Sequence, residues 1–130
     1  MGLLCSWLGI WCVAGTISGH ASAFDGDTIY VANQAVRLYG VDAEELNEPN
    51  GYAAKAHLII LIHGREVTCS WSGWSYNRKV GLCHVGNDYS LNQRMIQDGF
   101  ALDCAHYSHG LYRSFEPAGA RQRLIQKPYC

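Results

Sequence analysis

The chain has 130 residues, 48% of them hydrophobic and 16% charged, with a formal net charge of −1. That composition belongs to one folded domain with a modest core, and it excludes a disordered chain or a multidomain assembly. The near-zero charge also excludes tight, salt-driven coating of nucleic acid.

No residue before Asp25 carries a formal charge, and residues 2–15 form a short apolar run. It is shorter than the roughly 20 residues of a membrane-spanning helix, and it suits the core of a signal peptide. Residues 1–15 are therefore expected to be a signal peptide or N-terminal anchor, and residues 16–130 one domain. Residues 17–24 alternate weakly, as a strand does. Asp25-Gly26-Asp27 is turn chemistry, with Gly26 free to take positive φ. Residues 28–31 are β-branched and aromatic and form a second strand. Asn33-Gln34 turns the chain into a third strand over 35–41, with Val36, Leu38 and Gly40 on one face and Arg37, Tyr39 and Val41 on the other.

Residues 42–51 are polar, contain Pro49 and read as a loop. Residues 52–62 carry Ala, Leu and Ile at helical spacing, and His63-Gly64 ends that helix. Two more strands are expected at 66–71 and 80–85, joined by a polar and aromatic connection over 72–79. Ser90-Leu91-Asn92-Gln93 is a capping box that opens a helix running to Asp98, where Gly99 stops it. Residues 111–125 have helical periodicity, but Pro117 must kink or divide them. Five short strands with two to three helices make an α+β chain, mainly a β barrel, of the five-stranded OB-fold type.

The six cysteines include no Cys-x-x-Cys, which removes support for metal ribbons and thioredoxin chemistry. Cys5 and Cys12 fall in the expected leader. Cys69, Cys83, Cys104 and Cys130 allow three pairings. Cys69–Cys83 and Cys104–Cys130 are favoured because each closes a local segment, and each bridge adds about 3 kcal/mol by restricting the unfolded chain. Disulfides in a chain with a leader indicate export, to the periplasm or outside the cell.

Charge is unevenly spread. From Asp25 to Glu66 there are seven acidic residues against three basic ones, and from Val67 onward four acidic against seven basic. The first half can hold a cation and the second can meet phosphates. The chemistry concentrates at Asp25, Asp27, Arg37, Asp42, Glu45 and Arg78. Phosphodiester hydrolysis asks for such a set. A hard cation takes oxygen ligands, the attacking water needs a base, and guanidinium forks match the oxygens of a charged phosphorane. No Gly-x-Ser-x-Gly or His-Glu-x-x-His supports a serine hydrolase or a zincin.

Asp25-Gly26-Asp27-Thr28, Arg37-Leu38, Asp42-Ala43-Glu44-Glu45 and Tyr76-Asn77-Arg78 occur in that order. This series resembles the thermonuclease (staphylococcal-nuclease-like) family. The likeness runs from about residue 17 to 130, and it takes in Leu91-Asn92 and Gly99-Phe100-Ala101. The four cysteines are similar to those of the family's cysteine-bearing bacterial secreted branch. The resemblance implies a staphylococcal-nuclease-type barrel and a Ca2+-dependent nuclease, a monomer acting on DNA or RNA without strong sequence preference. Asp27 and Asp42 would ligate Ca2+ with the carbonyl of Ala43, and Asp25 would shape the turn behind them. Glu45 would deprotonate the attacking water, while Arg37 and Arg78 would stabilise the phosphorane. Tyr76 and Tyr107 would contact sugar or stack on a base.

Two departures stand out. Glu44 replaces the pattern's proline, which loosens the loop and adds a negative charge beside the implied metal. Asn77 replaces its glycine, and asparagine tolerates positive φ well. A basic substrate-binding loop is not evident over 47–51. The alternative reading is a non-catalytic OB-type nucleic-acid-binding module that has kept a relict nuclease site.

Overall fold

The computed structural model describes residues 12–130, and in addition the backbone of two short antiparallel strands, β1 (Leu4–Cys5) and β2 (Ile10–Trp11). The expected leader, residues 1–15, falls largely outside the described residues. Cys12, assigned to it above, is disulfide-bonded.

A three-stranded meander begins the domain. β3 (Gly15–Asp25) pairs antiparallel with β4 (Thr28–Val31), which pairs antiparallel with β5 (Gln34–Leu38). β6 (Val41–Asp42) then steps off the sheet, and the helix α1 (Gly51–Ile62) follows. β7 (Glu66–Ser75) returns along β3, in register from Gly15 opposite Trp71 to His20 opposite Glu66. β8 (Arg78–Val85) pairs antiparallel with β7 and, in parallel, with β5. That last pairing, Arg37 opposite Val80, closes the ring in the order β5-β4-β3-β7-β8. The result is a closed, mixed five-stranded barrel of OB type, with α1 between its third and fourth strands.

The remaining elements are short. β9 (Tyr89–Ser90) leads into α2 (Leu91–Gln97), and β10 (Leu102–Asp103) pairs with β6. α3 (Ala105–Ser108), a 3-10 turn (Arg113–Phe115) and α4 (Ala120–Arg123) complete the described chain. Ser90 accepts a hydrogen bond from the Gln93 N–H (3.1 Å), so the expected cap is made. Pro117 divides the expected C-terminal helix into the 3-10 turn and α4.

The barrel is filled by Ile29, Val31, Val36, Leu38, Val67 and Val85, all fully buried. Leu58 and Ile62 of α1 and Leu91, Met95 and Ile96 of α2 belong to the same buried cluster. Both expected disulfides are present. Cys69–Cys83 staples directly opposed residues of β7 and β8, and Cys104–Cys130 ties the C-terminal segment to the start of α3.

Four local expectations are corrected. The turn after β4 is Ala32-Asn33, both at positive φ (47° and 64°), rather than Asn33-Gln34. Gly40, at φ 72°, breaks the third strand into β5 and β6. The connection over 72–79 shrinks to Tyr76-Asn77, because β7 runs on through a bulge between Trp71 and Trp74. In that turn Tyr76 takes the positive φ (58°), not Asn77. A two-residue hairpin with positive φ at its first position ordinarily holds glycine there.

Candidate active site

The Asp25-Gly26-Asp27 turn lies against the loop after β6 and the start of α1. Gly26 is required by close approach rather than by positive φ. A Cβ there would stand 2.6 Å from the Cβ atoms of both Ala43 and Ala54. Gly51 is constrained in the same way, since a Cβ would meet the Glu45 carbonyl at 1.9 Å. These contacts press the loop over 42–50 onto the turn and hold Asp27, Asp42 and Glu45 together at one end of the barrel.

Asp27 is the hub. Its Oδ2 accepts the Ala43 N–H at 3.0 Å and lies 3.4 Å from the Arg37 guanidinium. Its Oδ1 accepts from the Thr28 hydroxyl (3.4 Å), and that hydroxyl oxygen accepts from Arg78 Nη1 at 3.2 Å. Arg37 is 4% exposed and also donates to the Leu38 carbonyl at 2.8 Å. Arg78 is further fixed by Ser75, through its carbonyl (3.3 Å) and its hydroxyl (3.0 Å). Both arginines thus stand on the carboxylate side of the barrel.

Asp25 shapes the turn by accepting the Asp27 N–H at 3.1 Å. Burial, reinforced by the neighbouring Asp27 charge, pushes its carboxyl up to about 6. Glu45 differs from the others, because its side chain is half exposed at the rim.

Sequence reasoning missed Lys127. Its Nζ donates to Asp42 Oδ1 at 2.7 Å and to the Ala43 carbonyl at 2.6 Å. It also lies 3.5 Å from Glu45 Oε1 and 3.7 Å from Asp27 Oδ2. Burial works against this ammonium's charge, but Asp27, Asp42 and Glu45 more than compensate and raise it above the ordinary lysine value. The oxygens implied as Ca2+ ligands are therefore those gathered around this one nitrogen. Among the described residues, no group of three His, Cys, Asp or Glu side chains stands at metal-ligand spacing by itself. The oxygens around the ammonium are hard donors, the kind that a hard cation takes.

Glu44 does not loosen the loop or face the cation position. It is 3% exposed, and it accepts the Asn50 N–H (3.0 Å), the Asn50 side-chain amide (2.7 Å) and the Ile125 N–H (3.1 Å). Burial alone would raise its carboxyl, but these donors outweigh that effect and lower it. Glu44 is the peg on which the Lys127 segment hangs.

No family model matches the chain. It is similar to the succinoglycan biosynthesis protein ExoI of Rhizobium meliloti (strain 1021), with 34% identity over 110 residues that cover 75% of this chain. The match spans 58% of that protein's length.

Two grooves flank Arg78. Arg37, Ser75, Tyr76, Tyr107 and Tyr129 line one of about 310 Å3 with it. Tyr76 is 94% exposed there, and the Tyr107 and Tyr129 rings meet edge to face at 6.1 Å. Tyr39 donates its hydroxyl to the Tyr107 carbonyl and holds that residue in place. The expected Tyr76 and Tyr107 are therefore brought to one groove with both arginines. The second groove, about 350 Å3, is lined on the other side of Arg78 by Phe24, Tyr30, Gln34 and Asn77. Neither Tyr129 nor this second groove had a signal in the sequence beyond aromatic content.

Proposed function

We propose that the chain is a monomeric, calcium-dependent phosphodiesterase of DNA or RNA, secreted or periplasmic. One observation carries the reading. Four oxygen-bearing groups, Asp27, Asp42, the Ala43 carbonyl and Glu45, surround a single cationic atom, with Arg37 against the same Asp27 carboxylate. Asp27, Asp42 and the Ala43 carbonyl would hold Ca2+, which supplies positive charge beside the phosphoryl oxygens when bound. Glu45 takes a proton from water as the water oxygen bonds to phosphorus. The bond from phosphorus to the leaving sugar oxygen then breaks, that oxygen takes a proton from solvent water, and Glu45 gives its proton back to solvent. Arg37 and Arg78 neutralise the charge that builds on the equatorial oxygens. Tyr76, Tyr107 and Tyr129 offer ring faces and edges to sugar and base, which explains weak sequence preference.

The Cys69–Cys83 and Cys104–Cys130 bonds indicate an oxidising environment, which supports export. Among the described residues, no helix is long and apolar enough to cross a membrane.

The second reading, a non-catalytic binding module with a relict site, draws on the same Lys127 ammonium, which already neutralises the carboxylates. Cleavage of single-stranded DNA by the oxidised protein, with CaCl2 or with EGTA, separates the two. The nuclease reading expects calcium-dependent cleavage, and Glu45→Ala and Arg78→Ala each losing at least about 10²-fold in rate. Intact substrate in every condition would refute it and leave the binding module.

A further inference from the structure

We propose that Lys127 is a tethered cation that closes the carboxylate site, and that a divalent ion must displace it to enter. The inference rests on the cation-dependent reading above and adds a gate to it.

Lys127 is not a surface lysine that happens to lie nearby. Its own N–H donates to Asp42 Oδ2 at 3.0 Å, while its ammonium takes Oδ1 of the same carboxylate at 2.7 Å. Both oxygens of a carboxylate with a fully buried side chain are thus engaged by one residue. The chain on either side is fixed as well. Before it, the Ile125 N–H is held by Glu44, and the Gln126 side chain bonds the Asp103 carbonyl (2.9 Å) and Arg121 (2.8 Å). After it, the Cys130 N–H returns to the Lys127 carbonyl (3.1 Å), and Cys130 is bonded covalently to Cys104. The segment is a strap anchored at both ends with its one cation aimed inward.

An ammonium and a Ca2+ ion cannot share this place. Ca2+ needs its oxygens at about 2.3–2.6 Å, and the two nearest are already engaged by the nitrogen. Because the ammonium is tethered, it competes at a high effective concentration that dilution does not lower. If the strap is docked about 99% of the time, apparent Ca2+ affinity falls about 100-fold. Glu44, which holds the strap, stands at the position where the family pattern named above has proline. Cys130 ends the strap, so reduction of Cys104–Cys130 is expected to ease displacement.

The test is calorimetric titration of CaCl2 into the full oxidised chain, as wild type, Lys127→Met and the double variant Cys104→Ser/Cys130→Ser. Lys127→Met is expected to bind Ca2+ at least about 10-fold tighter than wild type, with the untied double variant in between. Affinities of wild type and Lys127→Met within twofold would overturn the gate, as would no binding by either. If Lys127→Met does not give a cooperative thermal transition, the double variant decides, with unchanged affinity overturning the gate. Lys127 can also be followed in wild type, where its 15Nζ resonance should move to that of a solvated lysine as Ca2+ is added. A resonance that stays put while Ca2+ binds would refute displacement. DNA cleavage on the same samples keeps the two ideas apart. Tighter Ca2+ binding by Lys127→Met without cleavage upholds the gate and refutes the nuclease, whereas calcium-dependent cleavage with equal affinities does the reverse.

Discussion

Truncating Glu44 to alanine tests whether this side chain, and not the loop around it, fastens the C-terminal segment. The carboxylate is 3% exposed and accepts three N–H groups, from Asn50 twice and Ile125 once. A hydrogen bond to a charged group contributes about 1.5–3 kcal/mol, and the three share the cost of burying one charge. The Asn50 and Ile125 donors sit close enough to the surface for water to replace part of what is lost. The net expectation is therefore a loss of about 2–4 kcal/mol, or a fall in Tm of roughly 8–15 °C for a domain of this size. Urea denaturation of the oxidised protein measures the first quantity, and hydrogen exchange at the Ile125 amide reports the strap itself. Exchange at Ile125 and Lys127 should speed up more than at the barrel amides of β4. A stability change below about 0.5 kcal/mol, or Ile125 protection equal to wild type, would refute the assignment.

Two other buried groups give independent checks. Asn92 is fully buried, accepts the Cys83 N–H (2.9 Å) and donates to the Tyr39 and Gly81 carbonyls (3.0 and 3.1 Å). Asn92→Ala should cost about 3 kcal/mol by chemical denaturation, because it removes three hydrogen bonds that a buried side chain makes to backbone; a loss under about 1 kcal/mol would refute that role. Burial, with the charges of Tyr39 and Asp103, raises the ionisation of Tyr112 above its ordinary value of 10.0. A folded value above the unfolded one means that stability is intact below pH 10 and is lost as pH rises toward the folded value. Urea denaturation from pH 8 to 11 should therefore show wild type weakening while Tyr112→Phe stays flatter, and equal slopes would refute it.

Much of the barrel could be read from local pattern. Alternation marked β3 and β5, β-branched and aromatic residues marked β4, and the capping box placed α2 to within a residue. What failed depended on distant chain. The residues 72–79 looked like a loop because they mix polar and aromatic types, yet cross-strand pairing carries β7 on to Ser75 and starts β8 at Arg78. Gly26 looked like a turn glycine, but the reason for it lies on α1 and at Ala43. The carboxylates and arginines could be named because their motifs are contiguous. Lys127 could not, since its partner Asp42 is 85 residues away and an isolated lysine near a C-terminus has no pattern. Glu44 was the one local anomaly that pointed to it, and its meaning required knowing that the Ile125 amide lies overhead.

The bond between Cys69 and Cys83 also has a kinetic side. It joins residues 14 apart on β7, which pairs with β3, and β8, which β5 must meet to complete the ring. Once oxidised, β7 and β8 behave as a preassembled ribbon, and the chain has one fewer long-range encounter to make before the parallel seam can zip. Losing that crosslink should slow assembly as well as lower stability, so yield would depend on how promptly the thiols are oxidised relative to collapse.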